Sequence, residues 1–292
     1  MMRAHLLASL AGAVVLSAAP VTATSIDCAL TAEKSAVMVA EPIWLRLSCS
    51  NAGGEPVDLD FATANGLAWR ISPRGGPTPC HADTRVEDSR VQVPPWRITV
   101  RPGGAINVRL LLNRWVRLDH TGTFRVTLES CADASTPLVH SANLTIWKAP
   151  APHEVALTNE VTLEVVPADE HRLRAICEDL TSEATRAEDT DEGLQAAEAL
   201  SWVDLPLGEP YLERLLPINS FGSVLAVKGL ARIGSPAAVK ALIMAFDHTN
   251  PWTRLAIKDR LLELNPQLDD PGLRNRLDFI LTHEASKLVE PH

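Results

Sequence analysis

Beyond its first 23 residues the chain has no apolar run approaching the ~18 residues that a membrane-spanning helix needs. It also lacks any basic excess. Its 27 Lys and Arg stand against 36 Asp and Glu, a formal net charge of -9, which argues against broad affinity for nucleic acid. The short motifs that announce chemistry are missing. There is no H-E-x-x-H, because His283-Glu284 has no second histidine, and there is no G-x-S-x-G or phosphate-cradling glycine loop. No C-x-x-C occurs, and Cys80 and His81 are adjacent rather than ligand-spaced, so a zinc site has no framework. The acidic run Glu183, Glu188, Asp189, Asp191, Glu192 lacks the spacing and turn glycine of an EF-hand, and reads as a solvated linker between helices. Asp119-His120 and Asp169-Glu170-His171 read as surface pairs. No cofactor, metal or catalytic residue is expected.

What the chain does contain is enough for two cores: 292 residues, 46% of them hydrophobic. The acidity is uneven. Residues 24–166 carry 13 basic and 15 acidic side chains, whereas residues 167–292 carry 13 and 21. Residues 1–23 read as a secretory signal. Arg3 precedes the uncharged stretch from Leu6 to Ala19, and Val21-Thr22-Ala23 offers small residues for cleavage. The expected location is therefore outside the cytoplasm, periplasmic or extracellular, where disulfides persist. Four of the five cysteines, Cys28, Cys49, Cys80 and Cys131, fall before residue 167. Antiparallel pairing of the first two strands brings Cys28 opposite Cys49, leaving Cys80 with Cys131. A different sheet order would favour Cys49 with Cys131 instead. Cys177, flanked by Ile176 and Leu180 and followed by Glu178 and Asp179, reads as a buried, unreactive thiol.

The first half alternates with a period of two. Ile43, Leu45 and Leu47 interleave with Trp44, Arg46 and Ser48, and the same pattern returns at 67–71, 106–112, 124–128, 144–146 and 161–165. Turn clusters such as Asn51-Ala52-Gly53-Gly54 and Pro102-Gly103-Gly104 separate the strands, which indicates an antiparallel β-sandwich over residues 24–166. Arg101, Arg109, Arg114, Arg117 and Arg125 read mainly as wet strand faces. Most of the tryptophans read as core residues, with Trp96 and Trp115 beside turns.

The second half keeps a period of thirty. Pro206, Pro236 and Pro266 are evenly spaced, and so are Ala196, Ala226 and Ala256. Helices are expected over 168–186, 194–202, 211–216 and 224–233. Three more open at Ser235-Pro236, Asn250-Pro251 and Asp270-Pro271, each pairing a capping side chain with a proline suited to the first turn. Residues 167–292 thus read as a short α-helical solenoid, making the chain a multidomain all-β plus all-α protein.

Two resemblances accompany these patterns. Ala40-Glu41-Pro42-Ile43-Trp44-Leu45, Arg101-Pro102-Gly103-Gly104 and Gly122-Thr123-Phe124-Arg125-Val126 resemble bacterial immunoglobulin-like domains, with Phe124 where such folds often place a corner tyrosine. The segment from Ala226 to Phe246 resembles the HEAT-like repeats first named from phycobilisome lyases. The latter resemblance implies a protein-binding scaffold and no lyase chemistry, because the matching residues are packing residues. By analogy with such arrays, Glu198, Lys228, Arg232, Trp252, Arg254 and Lys258 would line a concave face and touch a protein or peptide partner. The leading expectation is an exported, non-catalytic interaction protein that binds a protein or peptide partner through the helical repeats, the β-sandwich or both. The alternatives are a protease inhibitor using the loop from Gly75 to Thr84, and a hydrolase with a composite site between the two halves.

Overall fold

The computed structural model describes residues 26–60, 67–73, 97–114, 118–130, 156–157, 160–188, 190–218, 220–264 and 268–282. The leader, Cys80, Cys131, the loop from Gly75 to Thr84, the tryptophans at 96 and 115, and the strand expected at 144–146 lie outside these residues.

Strands come first. β1 (Ile26–Ala32), β3 (Trp44–Asn51) and β7 (Ala105–Leu111) form one sheet with β9 (Ala156–Leu157), in the order β7-β3-β1-β9. A second sheet runs β2 (Ala36–Met38), β10 (Val161–Val166), β8 (Gly122–Ser130) and β5 (Leu67–Pro73). β4 (Val57–Asp60) and β6 (Arg97–Val100) make a separate pair. Pairing is antiparallel except for β1 with β9 and β10 with β2.

The two-residue period explains which side chains meet. Along β3, Leu45, Leu47 and Cys49 point inward, and along β10, Val161, Leu163 and Val165 do the same. Both four-stranded sheets contribute to one core, with Ile26, Leu30, Leu110, Phe124 and Val126 in it. Cys28 faces Cys49 in the β1–β3 register, their Cα atoms 4.1 Å apart, and the two are joined by a disulfide. Asn51 is a buried polar residue whose hydrogen bonds are met. Its amide donates to the carbonyls of Glu55 and Val100, and its carbonyl oxygen accepts from the Gly53 amide.

Helices follow: α1 (Glu170–Arg186), α2 (Asp191–Ser201), α3 (Glu209–Leu215), α4 (Phe221–Ile233), α5 (Pro236–Ala245), α6 (Pro251–Leu264) and α7 (Pro271–Thr282). Their starts are chemical. Asp169, Thr190, Ser220 and Ser235 each accept a first-turn amide hydrogen bond, and so do Asn250 and Asp270. α4 ends at Gly234, whose φ of 62° is the left-handed conformation that a helix stop favours in glycine. α2 begins three residues earlier than its apolar pattern suggests. Thr190 caps it there, and Asp191 and Glu192 occupy the first turn, where the helix dipole favours negative charge. Part of the acidic run is therefore a helix start rather than a linker.

Consecutive and alternate helices both pack together. α1 lies against α2 and α3, α2 against α4 and α4 against α6, while α3 contacts α4 and α5, and α5 contacts α7. The thirty-residue interval brings Ser223 of α4 to Thr253 of α6, with their hydroxyls 2.6 Å apart in a buried hydrogen bond. Leu200, Leu212, Leu215, Leu230, Leu242 and Ile257 are among the fully buried members of this second core.

Candidate functional site at the junction of the two halves

The β and helical halves meet through side chains from both. Leu111 at the end of β7 packs with Ala199 and Trp202 of the α2 end, flanked by Trp44 of β3 and Leu180 of α1. Directly after β7 the chain makes a 3₁₀ turn (Leu112–Arg114). Asn113 fixes this turn against the entry to β3, accepting from the Ile43 amide at 2.6 Å and donating to the Glu41 carbonyl at 3.1 Å. Arg114 is thereby held over α2, with its guanidinium 3.4 Å from the Glu198 carboxylate.

Glu198 is 6% exposed. Burial pushes its carboxyl pKa above the ordinary range, while Arg114, Lys228 and Arg232 pull it back down. Burial also lowers the pKa of Arg114, so both members of the pair resist carrying charge in this environment. Next to them, the Arg232 guanidinium stacks over the Trp202 ring at 3.6 Å, donates to the Ser201 carbonyl, and lies 3.8 Å from the Asp204 carboxylate. The cluster reads as a charged joint clamped on a small apolar patch.

Beside this joint a cleft of about 200 Å³ opens between the strands and α1. Val37, Pro42 and Trp44 form one wall, and Ile176 and Leu180 form the other. Two ion pairs border it. Arg109 makes two 2.8 Å hydrogen bonds to the Glu33 carboxylate while stacking 3.9 Å above Trp44. Lys34 pairs with Glu41, which is buried and also accepts from the Met38 amide at 2.9 Å. The Arg109 hydrogen bonds hold the Glu33 carboxyl below its ordinary pKa. The cleft is smaller than the ~300–1,000 Å³ of a typical small-molecule site. Each of its carboxylates is engaged by a cation, and Glu198 does not line it. The bordering groups therefore hold one another rather than converging on an open reaction centre.

The residues expected from sequence to contact a partner are divided by the structure. Glu198 and Arg232 lie inside the joint, not on an open face. Lys228 is half-buried and acts on Glu198 electrostatically. Arg254 turns back to donate to the Thr249 carbonyl at 2.8 Å. Lys258 is half-buried on α6, and Trp252 is 72% exposed. Cys177 is fully buried, and burial raises its thiol pKa to about 11, as expected for an unreactive cysteine. Of the strand arginines, Arg109 and Arg125 make surface ion pairs with Glu33 and Glu160, Arg114 turns into the joint, and Arg117 lies outside the described residues. Sequence reasoning missed the roles of Arg114, Trp202 and Trp44, because no local pattern links positions so far apart along the chain.

Among the described residues no three His, Cys, Asp or Glu side chains cluster as metal ligands, and no helix is long and apolar enough to cross a membrane. No family model matches the chain, and no curated protein matches its sequence.

Proposed function

We propose that this is an exported, non-catalytic interaction protein. A β-sandwich of immunoglobulin-like kind is joined to a short HEAT-like solenoid, and the helical half holds a protein or peptide partner. The observation that carries this reading is where apolar surface remains open. Among the residues whose side-chain exposure is described, the exposed large apolar ones are Phe221, Met244, Trp252, Leu255, Leu262 and Phe279, all on α4 to α7. Large apolar groups held in water side by side mark a surface that another molecule covers, and Trp252, Leu255 and Leu262 share one face of α6. The packing of α2 on α4 and α4 on α6 supports a repeating array, and the Cys28–Cys49 disulfide supports an oxidising compartment.

The test is photo-cross-linking in the native host. A cross-linking side chain is placed in turn at Trp252, at Phe279 and at an exposed strand position, Thr31. One discrete cross-linked species from the helical positions is the expected result. Absence of any discrete species from all positions, across several growth conditions, would reject the reading.

A further inference from the structure

The exposed face of α6 goes further than this general reading, on which it rests. Successive helical residues are turned by about 100°, so Trp252, Leu255, Asp259 and Leu262 occupy an arc of roughly 80°. Thr253, Ile257 and Leu261 occupy the opposite side and are buried in the helical core. α6 is therefore apolar on two opposed faces, one of them in water. Trp252 is 72%, Leu255 40% and Leu262 53% exposed. Their spacing of three, four and three residues, counting Asp259, matches the seam of a two-helix contact. The seam from 252 to 262 is about 15 Å long at 1.5 Å per residue. Asp259 is half-buried in its middle, and it makes no ion pair among the described residues.

We propose that this seam docks an amphipathic helix of a partner protein, with apolar residues at matching intervals and a Lys or Arg opposite Asp259. A terminal unit of a helical stack ordinarily presents a polar outer face, so an apolar seam at this position calls for a cover. The central carboxylate decides among covers. A second copy pairing in parallel would set Asp259 against its own equivalent. A second copy pairing antiparallel about the seam's midpoint would set Asp259 against Leu255, burying an uncompensated charge. The chain's own last ten residues carry Lys287, but Leu288 and Val289 are their only large apolar side chains, too few to cover Trp252, Leu255 and Leu262. A helix carrying a cation at the centre satisfies both the apolar residues and the charge.

The experiment uses the full mature chain and synthetic helical peptides of about three heptads, with leucine along the seam. One peptide carries Lys at the central position, a second carries Glu, and a third has the Lys sequence scrambled. Binding is read by fluorescence anisotropy of labelled peptide. The Lys peptide should bind about tenfold or more tighter than the Glu or scrambled peptide, and Trp252→Ala should weaken it by about tenfold or more. Asp259→Asn should erase the Lys-over-Glu preference, and Asp259→Lys should reverse it. Equal binding of all three peptides, or indifference to Trp252→Ala, overturns the proposal. A concentration-dependent dimer abolished by Trp252→Ala overturns it in favour of a second copy. A chain ending at Thr282 that binds the Lys peptide more than about tenfold tighter than the full chain overturns it in favour of the tail. Should the peptides fail while Phe279 still cross-links a discrete partner, this seam falls and the interaction reading stands.

Discussion

Replacing Gly229 with alanine sets two opposed effects against each other inside one helix. Gly229 lies in α4 where that helix passes close to α2 and α3. A Cβ added there would stand 2.9 Å from the Ser201 Cα and 2.9 Å from a Leu212 methyl. Carbon atoms pack favourably at about 3.5–4.0 Å, so the overlap is roughly 0.6 Å or more. The Leu212 methyl has some freedom to rotate away, but Ser201 Cα is backbone of α2 and moves only with its helix. Relief therefore requires α4 to retreat from α2 across a contact that includes Ala197, Leu200 and Leu225. Overpacking of this kind costs about 1–3 kcal/mol, and the larger figure applies where backbone must shift. Against it, alanine in a helix interior is favoured over glycine by about 1 kcal/mol. The expected net loss is about 1–2 kcal/mol, with Gly229→Val losing more. Urea unfolding followed by far-ultraviolet circular dichroism measures it, because the helical half dominates that signal. Gly54 supplies the internal control. A Cβ there meets nothing within 4 Å, so Gly54→Ala should leave stability within about 1 kcal/mol of the parent. A Gly229→Ala protein as stable as the parent, or more stable, would refute the close approach of α4 to α2.

Other outcomes follow from the same reasoning. Cys28→Ala with Cys49→Ala opens a cross-link between residues 21 apart, which should lower unfolding free energy by about 3 kcal/mol; a chain equally stable with and without reductant would contradict it. Ala40 holds φ at 65°, a left-handed conformation that costs an L-residue about 1–2 kcal/mol, so Ala40→Gly should stabilise by about 0.5–1 kcal/mol, and a lowered urea midpoint would count against that backbone geometry. The raised pKa of Glu198 fixes the sign of a pH effect. Its contribution to stability is fully present below the ordinary carboxyl value of 4.5 and is lost as pH rises through the raised folded value. Relative to Glu198→Gln, the parent should therefore gain stability as pH falls from 7 towards 4.5; a difference that is flat or shrinks on acidification would reject the buried placement of Glu198.

Much of the local structure was legible residue by residue. Ser235-Pro236, Asn250-Pro251 and Asp270-Pro271 each open a helix where the capping chemistry indicates, since a side-chain acceptor and a proline both act within one turn. The Cys28–Cys49 bridge followed from strand alternation and a single antiparallel pairing. The start of α2 was misjudged because the apolar period begins at Leu194, while Thr190 and the two acidic residues after it extend the helix by capping and charge alone. Helical position alone places the candidate contact residues on one face and carries no information about what covers each of them. Trp252 emerged in water, whereas Glu198 and Arg232, from equivalent-looking polar positions, were drawn into the joint.

The sequence by itself determined strands followed by helices, the spacing of the caps, and the thirty-residue interval that brings Ser223 to Thr253. These depend on periods of two, of about 3.6 and of thirty residues, all readable over short windows or simple repeats. Only the tertiary structure decided that Arg114, after β7, meets Glu198 on α2, that Trp44 and Leu180 border one cleft, and that one face of α6 stays uncovered. Those outcomes depend on which surfaces bury one another after the two halves have folded. Burial is a property of neighbours distant along the chain, so no local pattern records it.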